Sequence, residues 1–322
     1  MEEVLAIIRE DLQRVEEEFR RRLKSRVPLI TQIAEHLVKS GGKRLRPAFL
    51  ILSAKLCGYD GDAHIPLAGA IEFIHTATLL HDDVIDNAEV RRGNPSANTL
   101  WGNEASVLVG DFLFSRSFSM MVEVGDMRVL EIVAQATTHL AEGETLELVK
   151  TADLETTEDE NLELIVQKTA SLISAATRVG AVLGGAPPEQ EEALAEYGLQ
   201  VGIAFQLVDD CLDYGGQAEA LGKGVGVDLR EGKVTLPLIH TLRNCTREER
   251  RRIRDVVQAE DIDQRGLGQV LDLVQKYGGI SYTMGRAREY VERGKEALSL
   301  FPPSTEREAL LSLADYVLKR RY

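Results

Sequence analysis

The sequence predicts an all-α protein. Over long stretches apolar residues recur every three or four positions amid Glu, Ala, Leu, Lys and Arg, which is the helical period. None of the nine prolines falls between 95 and 187, leaving room for long unbroken helices. The Thr/Val/Tyr alternation of strands is scarce. With 322 residues and 44% apolar content the chain can bury a large core. No linker is long or polar enough to part domains and no repeat period shows, so residues 1–322 read as one domain.

Residues 1–25 are expected as an amphipathic helix, with Val4, Ile7, Ile8, Leu12, Val15 and Phe19 on one side and Glu and Arg on the other. So much apolar face at a chain end asks for a partner, such as a second subunit at a dimer contact. A second helix covers about 29–39 and stops at Ser40-Gly41-Gly42. Pro47 is placed to be the first residue of the next helix, which runs to about 57. Gly41 to Arg46 is then a loop carrying Lys43, Arg44 and Arg46 against a helix N-terminus, a geometry that suits phosphate. It lacks the spacing of the ATP-binding P-loop. A helix break with solvated basic residues is the plainer alternative.

The helix that starts near 62–66 ends in Asp82-Asp83-Val84-Ile85-Asp86, with Arg91-Arg92-Gly93 following. In steps of three and four, His75, Thr78, Asp82 and Asp86 share one stripe. Like charges four apart repel, and folding alone gives no reason to end an apolar stripe with them. A divalent cation would: two carboxylates with positions left for water and phosphate oxygens is how Mg²⁺ is usually held. The plainer alternative is a solvated acidic helix end. Glu72-x-x-His75 matches half of a di-iron site, but no other histidine has Glu three residues before it, so that reading is dropped.

Helices at about 103–123, 127–152 and 158–185 follow, closed by Gly184-Gly185-Ala186-Pro187-Pro188. Lys168-Thr169 lies within the third, where a lysine can simply snorkel to the surface. The next helix, about 189–214, carries Phe205-Gln206 and a second acidic run, Asp209-Asp210-Cys211-Leu212-Asp213. One such run means little among 52 acidic residues. Two, each closing an apolar helix and each followed by basic residues, mean more. From Gly222 to Pro237 glycines alternate with Lys223 and Lys233, a mobile cationic loop that could act as a lid or as a plain linker. Residues 237–322 read as four or five shorter helices.

The formal charge of −14 argues against nucleic acid as partner, though local cations and metals can still hold anionic small substrates. Cys57, Cys211 and Cys245 have no metal-ligand spacing and read as reduced thiols of a cytoplasmic chain. No apolar run of about 18 residues is found, so no membrane span is expected, and the N-terminus lacks the pattern of a signal peptide.

Taken in order, Gly41-Gly42-Lys43-Arg44-Leu45-Arg46-Pro47, the first Asp-Asp-x-x-Asp with its Arg-Arg-Gly, Lys168-Thr169, Phe205-Gln206 with the second acidic run, and the Gly222–Pro237 loop resemble the trans-isoprenyl (polyprenyl) diphosphate synthases, and specifically a bacterial long-chain member. The resemblance covers residues 25–322. It implies a bundle of long helices around a deep central cavity, paired as a homodimer. It implies that Lys43, Arg46, His75 and Arg92 hold isopentenyl diphosphate, and that Arg91, Lys168, Thr169 and Gln206 hold the allylic diphosphate. Asp82, Asp86 and Asp209 would ligate about two to three Mg²⁺ ions. Asp83, Asp210 and Asp213 complete the acidic motifs, and Lys223 and Lys233 would close over the phosphates. The chain departs from the family at Gly224, where Pro is common, and at Cys211, where Ile is usual; neither change removes a charge.

The reaction so implied ionises an allylic diphosphate such as farnesyl diphosphate. Metal and cations stabilise the leaving pyrophosphate, while the second substrate is oriented onto the allylic cation. Pyrophosphate itself can take the proton, which accounts for the lack of a side-chain base in the motifs. Ala77 and Thr78 sit below Asp82, where bulky aromatics in the family stop the product short. Small residues there predict a hexaprenyl to nonaprenyl product of the quinone side-chain type, apolar enough to bring peripheral membrane association. The rivals are a short-chain (farnesyl or geranylgeranyl) synthase, a terpene cyclase, a regulatory subunit, and the catalytic subunit of a two-component heptaprenyl synthase. A cyclase needs no isopentenyl site and a regulatory subunit would be expected to lose the aspartates.

Overall fold

The computed structural model describes residues 2–39, 44–91, 93–215, 225–259 and 262–320. They are α-helical almost throughout, as the spacing predicts. In chain order the helices are α1 (Glu2–Ile7), α2 (Arg9–Arg22), α3 (Pro28–Lys39), α4 (Leu45–Leu56), α5 (His64–Ile85), α6 (Ala97–Trp101), α7 (Asn103–Val124), α8 (Met127–Lys150), α9 (Glu158–Ile165), α10 (Ser171–Leu183), α11 (Pro188–Tyr214), α12 (Val227–Arg230), α13 (Leu236–Asn244), α14 (Arg247–Val257), α15 (Gln264–Lys276), α16 (Gly279–Ala297) and α17 (Thr305–Lys319). A two-residue antiparallel hairpin, β1 (Val90–Arg91) with β2 (Asn94–Pro95), follows α5.

The chain groups into two compact units. The first comprises Met1–Thr137, Leu172–Gly198 and Ala297–Leu313. Its core is built on α5, against which α7 packs lengthwise and onto which α2 and α4 also fold. Contact with α7 is close because Gly110 has no side chain: a Cβ there would meet His81 Nε2 at 2.2 Å. The amphipathic N-terminal stretch breaks at Ile8, whose backbone (φ −116°, ψ 20°) leaves the helical region and parts α1 from α2. Its apolar face finds cover inside this unit, with Ile8, Val15, Phe19 and Leu23 buried and Phe19 stacked on Phe73 at 4.3 Å. Ile7 of the same stretch stays exposed. Asp11, on α2, accepts from Lys55 at 2.9 Å and lies 3.3 Å from His64. Burial alone would push its carboxyl up, but these two contacts outweigh it and hold it below the ordinary range.

One sequence expectation is corrected in this unit: α4 starts at Leu45, two residues before Pro47, because Arg44 adopts a left-handed conformation (φ 49°) and turns the chain there. By length and composition alone α7 could cross a membrane, but it carries Glu104, Asp111, Arg116 and Glu123 and packs along α5.

The second unit comprises Thr138–Ser171, Leu199–Glu296 and Ala314–Tyr322. Here the expected single helix over 158–185 is interrupted: Val166–Ala170 forms a π-helical turn between α9 and α10. α9 opens on a capping box of Thr157 and Glu160. Buried Glu158 ties its first turn to α13 and α16 through Arg243 (3.2 Å), Arg286 (3.0 Å) and Tyr282 (2.8 Å). The expected mobile loop is half corrected. Residues 225–237 hold the short α12 and pack inward, with Leu229, Val234 and Leu236 buried. The cysteines Cys57, Cys211 and Cys245 are free.

Candidate active site

In the first unit the end of α5 sets the geometry. The helical period puts His75, Thr78, Asp82 and Asp86 on one half-exposed stripe. Ala77 departs from it. Five residues from Asp82 is about 140° round the helix, and Ala77 is fully buried. Thr78, one turn from Asp82, donates to the His75 carbonyl at 2.9 Å.

Asp83 faces inward with no exposure. Its carboxylate accepts from Arg91 Nε at 2.5 Å. Its carbonyl accepts from the Ala88 amide (2.9 Å) and the Asn98 side chain (3.0 Å). The inner aspartate thus folds the chain back after α5 and positions Arg91 on β1, while the outer two keep access to solvent. Arg46 lies half-buried in the first turn of α4. Of the cations in the preceding loop, Arg44 is committed elsewhere, to Glu72 at 2.6 Å and Glu16 at 3.1 Å, with its guanidinium 5.8 Å from the Phe19 ring centroid. Lys43 and Arg92 lie outside the described residues.

In the second unit the π-helical turn carries Gln167, Lys168 and Thr169. It is pressed between two glycines. A Cβ on Gly143 of α8 would meet Gln167 Cβ at 2.8 Å, and one on Gly202 of α11 would meet Ala170 Cα at 2.6 Å. From this turn Thr169 donates to Gln206 Oε1 at 2.9 Å, and Gln206 donates in turn to Asp210 at 2.9 Å. Lys168 pairs with Glu144 at 3.0 Å and with Glu147. Lys233 reaches the same carboxylate of Glu147 at 3.8 Å while bonding Glu231 at 2.7 Å. Glu144 and Glu147 are polar partners that the sequence reading missed; the signal was a glycine, Gly143, inside a helix beside them. Lys223 lies outside the described residues.

The second acidic run follows the first in burial, with Asp209 and Asp213 half-exposed and Asp210 buried. Asp213 accepts from the amides of Val227 (3.0 Å) and Asp228 (3.1 Å), capping the first turn of α12. Asp209 pairs with Arg320 at 2.9 Å. Burial, with Asp209 and Asp213 nearby, pushes the Asp210 carboxyl up to about 7. Burial likewise raises Glu144, against the pull of Lys168. Desolvation, with Asp213 and Asp210 adding to it, holds Asp228 well above the ordinary carboxylate range.

This excess of negative charge is the test of whether a metal fits. The donors are carboxylate oxygens, hard ligands of the kind Mg²⁺ takes. Asp210 Oδ2 is buried without a partner, and a cation nearby would relieve it. Among the described residues no three Asp, Glu, His or Cys side chains converge on one point. That suits an ion held by one or two carboxylates with the rest of its sphere left to water and phosphate oxygens. Asp82 and Asp86, and separately Asp209, are such donors, so the residues fit.

The polyprenyl synthetase family model matches residues 27–274, through both acidic runs and the lysine-bearing turn. The chain is 42% identical over 320 residues to the octaprenyl diphosphate synthase of Escherichia coli (strain K12), covering 99% of each chain. It is 41% identical to the all-trans-nonaprenyl-diphosphate synthase (geranyl-diphosphate specific) of Rhodobacter capsulatus, covering 99% of this chain and 98% of that one. Among solved structures, the polyprenyl synthase from Caulobacter crescentus CB15, complexed with calcium and isoprenyl diphosphate, superposes with a TM-score of 0.96. Its identity is 43%, over 99% of this chain and 97% of that one.

Proposed function

Because the chain belongs to the polyprenyl synthetase family, we propose that it is a long-chain trans-prenyltransferase. It condenses isopentenyl diphosphate with an allylic diphosphate such as farnesyl diphosphate, making an all-trans product in the octaprenyl to nonaprenyl range for quinone side chains. The observation that carries this reading is the end-to-end likeness to long-chain synthases, above 40% identity.

In each cycle the allylic C–O bond breaks and the electron pair leaves with pyrophosphate. The double bond of isopentenyl diphosphate attacks the allylic cation, forming the new C–C bond, and pyrophosphate takes the proton released. Mg²⁺ ions, about two to three, would be held by Asp82 and Asp86 in the first unit and by Asp209 in the second, and would supply charge stabilisation to the leaving group. Lys168 and Lys233, released from Glu147 and its neighbours, bind the allylic diphosphate with Thr169 and Gln206; Arg91 is a further ligand that the family resemblance implies. Arg46 and His75, with Lys43 and Arg92, orient isopentenyl diphosphate. Asp83, Asp210 and Asp213 set the positions of the outer carboxylates and of the segment holding Lys233.

The enzyme works as one synthase domain, a reading supported by a family match that runs unbroken through both compact units. It acts as a cytoplasmic homodimer, its product bringing it to membrane surfaces. In support of the dimer, Leu108, Val122 and Met127, on α7 and at the start of α8, are each more than 60% exposed, an apolar face that a second copy would cover.

Incubating the purified chain with Mg²⁺, isopentenyl diphosphate and farnesyl diphosphate, and sizing the dephosphorylated product, tests the function. Octaprenyl to nonaprenyl product that vanishes with a chelator is expected. A product stopping at twenty carbons would move the assignment to the short-chain class, and no condensation would overturn it. Sedimentation of the same sample tests the dimer.

A further inference from the structure

Arg320 stands one residue beyond the end of α17. Its guanidinium lies 4.0 Å from the centroid of the Phe205 ring, and its Nη1 is 2.9 Å from Asp209 Oδ1. Phe205 and Asp209 are one turn apart on α11, so ring and carboxylate form a two-point seat for a planar cation. The arginine side chain is 7% exposed against 24% for the aspartate, so this is no surface pairing. Around it the charge is acidic, with Asp210 buried and its Oδ2 without a partner.

We propose that Arg320 is a placeholder for a divalent cation on Asp209. It holds the carboxylate while the enzyme is metal-free and withdraws when the ion binds, coupling the C-terminal end of the chain to metal loading. The proposal rests on the reading of Asp209 as a metal ligand. A doubly charged ion and a guanidinium about 3 Å from the same oxygen repel strongly in a half-buried site, so the two are alternatives. An ion that must first displace Arg320 binds with an apparent affinity reduced by the fraction of time the seat is open.

The test uses the full-length chain and Mg²⁺ alone, without substrate. Calorimetric titration of wild type, Arg320→Ala, Arg320→Lys and Asp209→Asn gives the affinities. Trypsin cleavage after Arg320, with and without Mg²⁺, reports on the wild-type C-terminus without any substitution. Arg320→Ala is expected to tighten Mg²⁺ binding about 3- to 10-fold, Arg320→Lys to fall between it and wild type, and Mg²⁺ to speed wild-type cleavage. If Asp209→Asn leaves Mg²⁺ affinity unchanged, the ligand reading itself fails. If Asp209→Asn weakens binding but Arg320→Ala does not tighten it, or cleavage ignores Mg²⁺, the placeholder alone is overturned. Far-UV circular dichroism of each variant checks the fold; should Arg320→Ala not fold, Arg320→Lys and the wild-type cleavage rate decide.

Discussion

The two Asp-Asp-x-x-Asp stretches share a pattern of burial and differ in how they handle it. In both, the first and fifth aspartates are half-exposed and the second is buried. Asp83 is met by a guanidinium, with Arg91 at 2.5 Å. Asp210 is met by an amide, Gln206 at 2.9 Å, and its carboxyl rises to about 7. Elsewhere in the first unit, away from this stretch, burial would raise Asp11 and Glu18, but Lys55 and His64, and Arg21 and Arg22, pull them below the usual range. Around the second stretch Glu144, Asp210 and Asp228 are all held high by desolvation. A repeat in sequence is therefore not a repeat in chemistry. The first stretch is balanced by its own fold, and the second carries negative charge that added cations would settle.

The largest effects should come from the outer carboxylates. Asp82→Ala and Asp209→Ala are each expected to lower kcat/KM by on the order of 10²-fold or more with helical content unchanged. Near-wild-type turnover in either would remove that stretch from the chemistry. The inner pair should separate by stability. Asp83→Ala strands Arg91 and is expected to cost about 3 kcal/mol, whereas Asp210→Asn keeps the Gln206 contact and relieves repulsion, leaving the urea midpoint level or higher. Equal losses would erase the contrast.

Product length sharpens it within α5. Thr78→Phe, on the half-exposed stripe, should shorten the product with little loss of stability. Ala77→Phe, wholly buried, should cost about 1–3 kcal/mol by overpacking. An unchanged profile in Thr78→Phe would count against a channel along this stripe.

The smallest effect concerns pH. Asp11 has a folded carboxyl below its unfolded value, so its contribution is present above pH 4 and lost as pH falls through the folded value. Acid titration should show a loss of ~1 kcal/mol or less, reduced in Lys55→Ala, where His64 remains. The same slope in both proteins would show that the pair contributes nothing.

Much of this was legible in the sequence because it follows the helical period. The course of α5, the shared stripe of His75, Thr78, Asp82 and Asp86, and the second acidic run on α11 all come from spacing alone. What was hidden depends on contacts between distant residues. Arg44 looks like a third phosphate ligand until Glu16 and Glu72 claim it. Arg320 belongs to no motif in the sequence, yet it seats against Phe205 and Asp209. The loop after α11 reads as mobile from its glycines, but Asp213, at the close of that helix, caps α12 and fixes part of it. The π-helical turn leaves no composition signal, since Gln167-Lys168-Thr169 would suit an α-helix equally well.

That turn has a consequence for how the gene can change. A π-turn behaves as one extra residue spliced into an α-helix. Deleting a single codon within 166–170 would let α9 and α10 fuse into one regular helix. The helices on either side would keep their register, because the turn only absorbs the extra residue, and the change would fall on the side chains of the turn itself. Lys168 and Thr169 would be re-aimed away from Glu147 and Gln206. A frame-preserving deletion of one amino acid, harmless to helix propensity, would thus spare the helices and strike the turn.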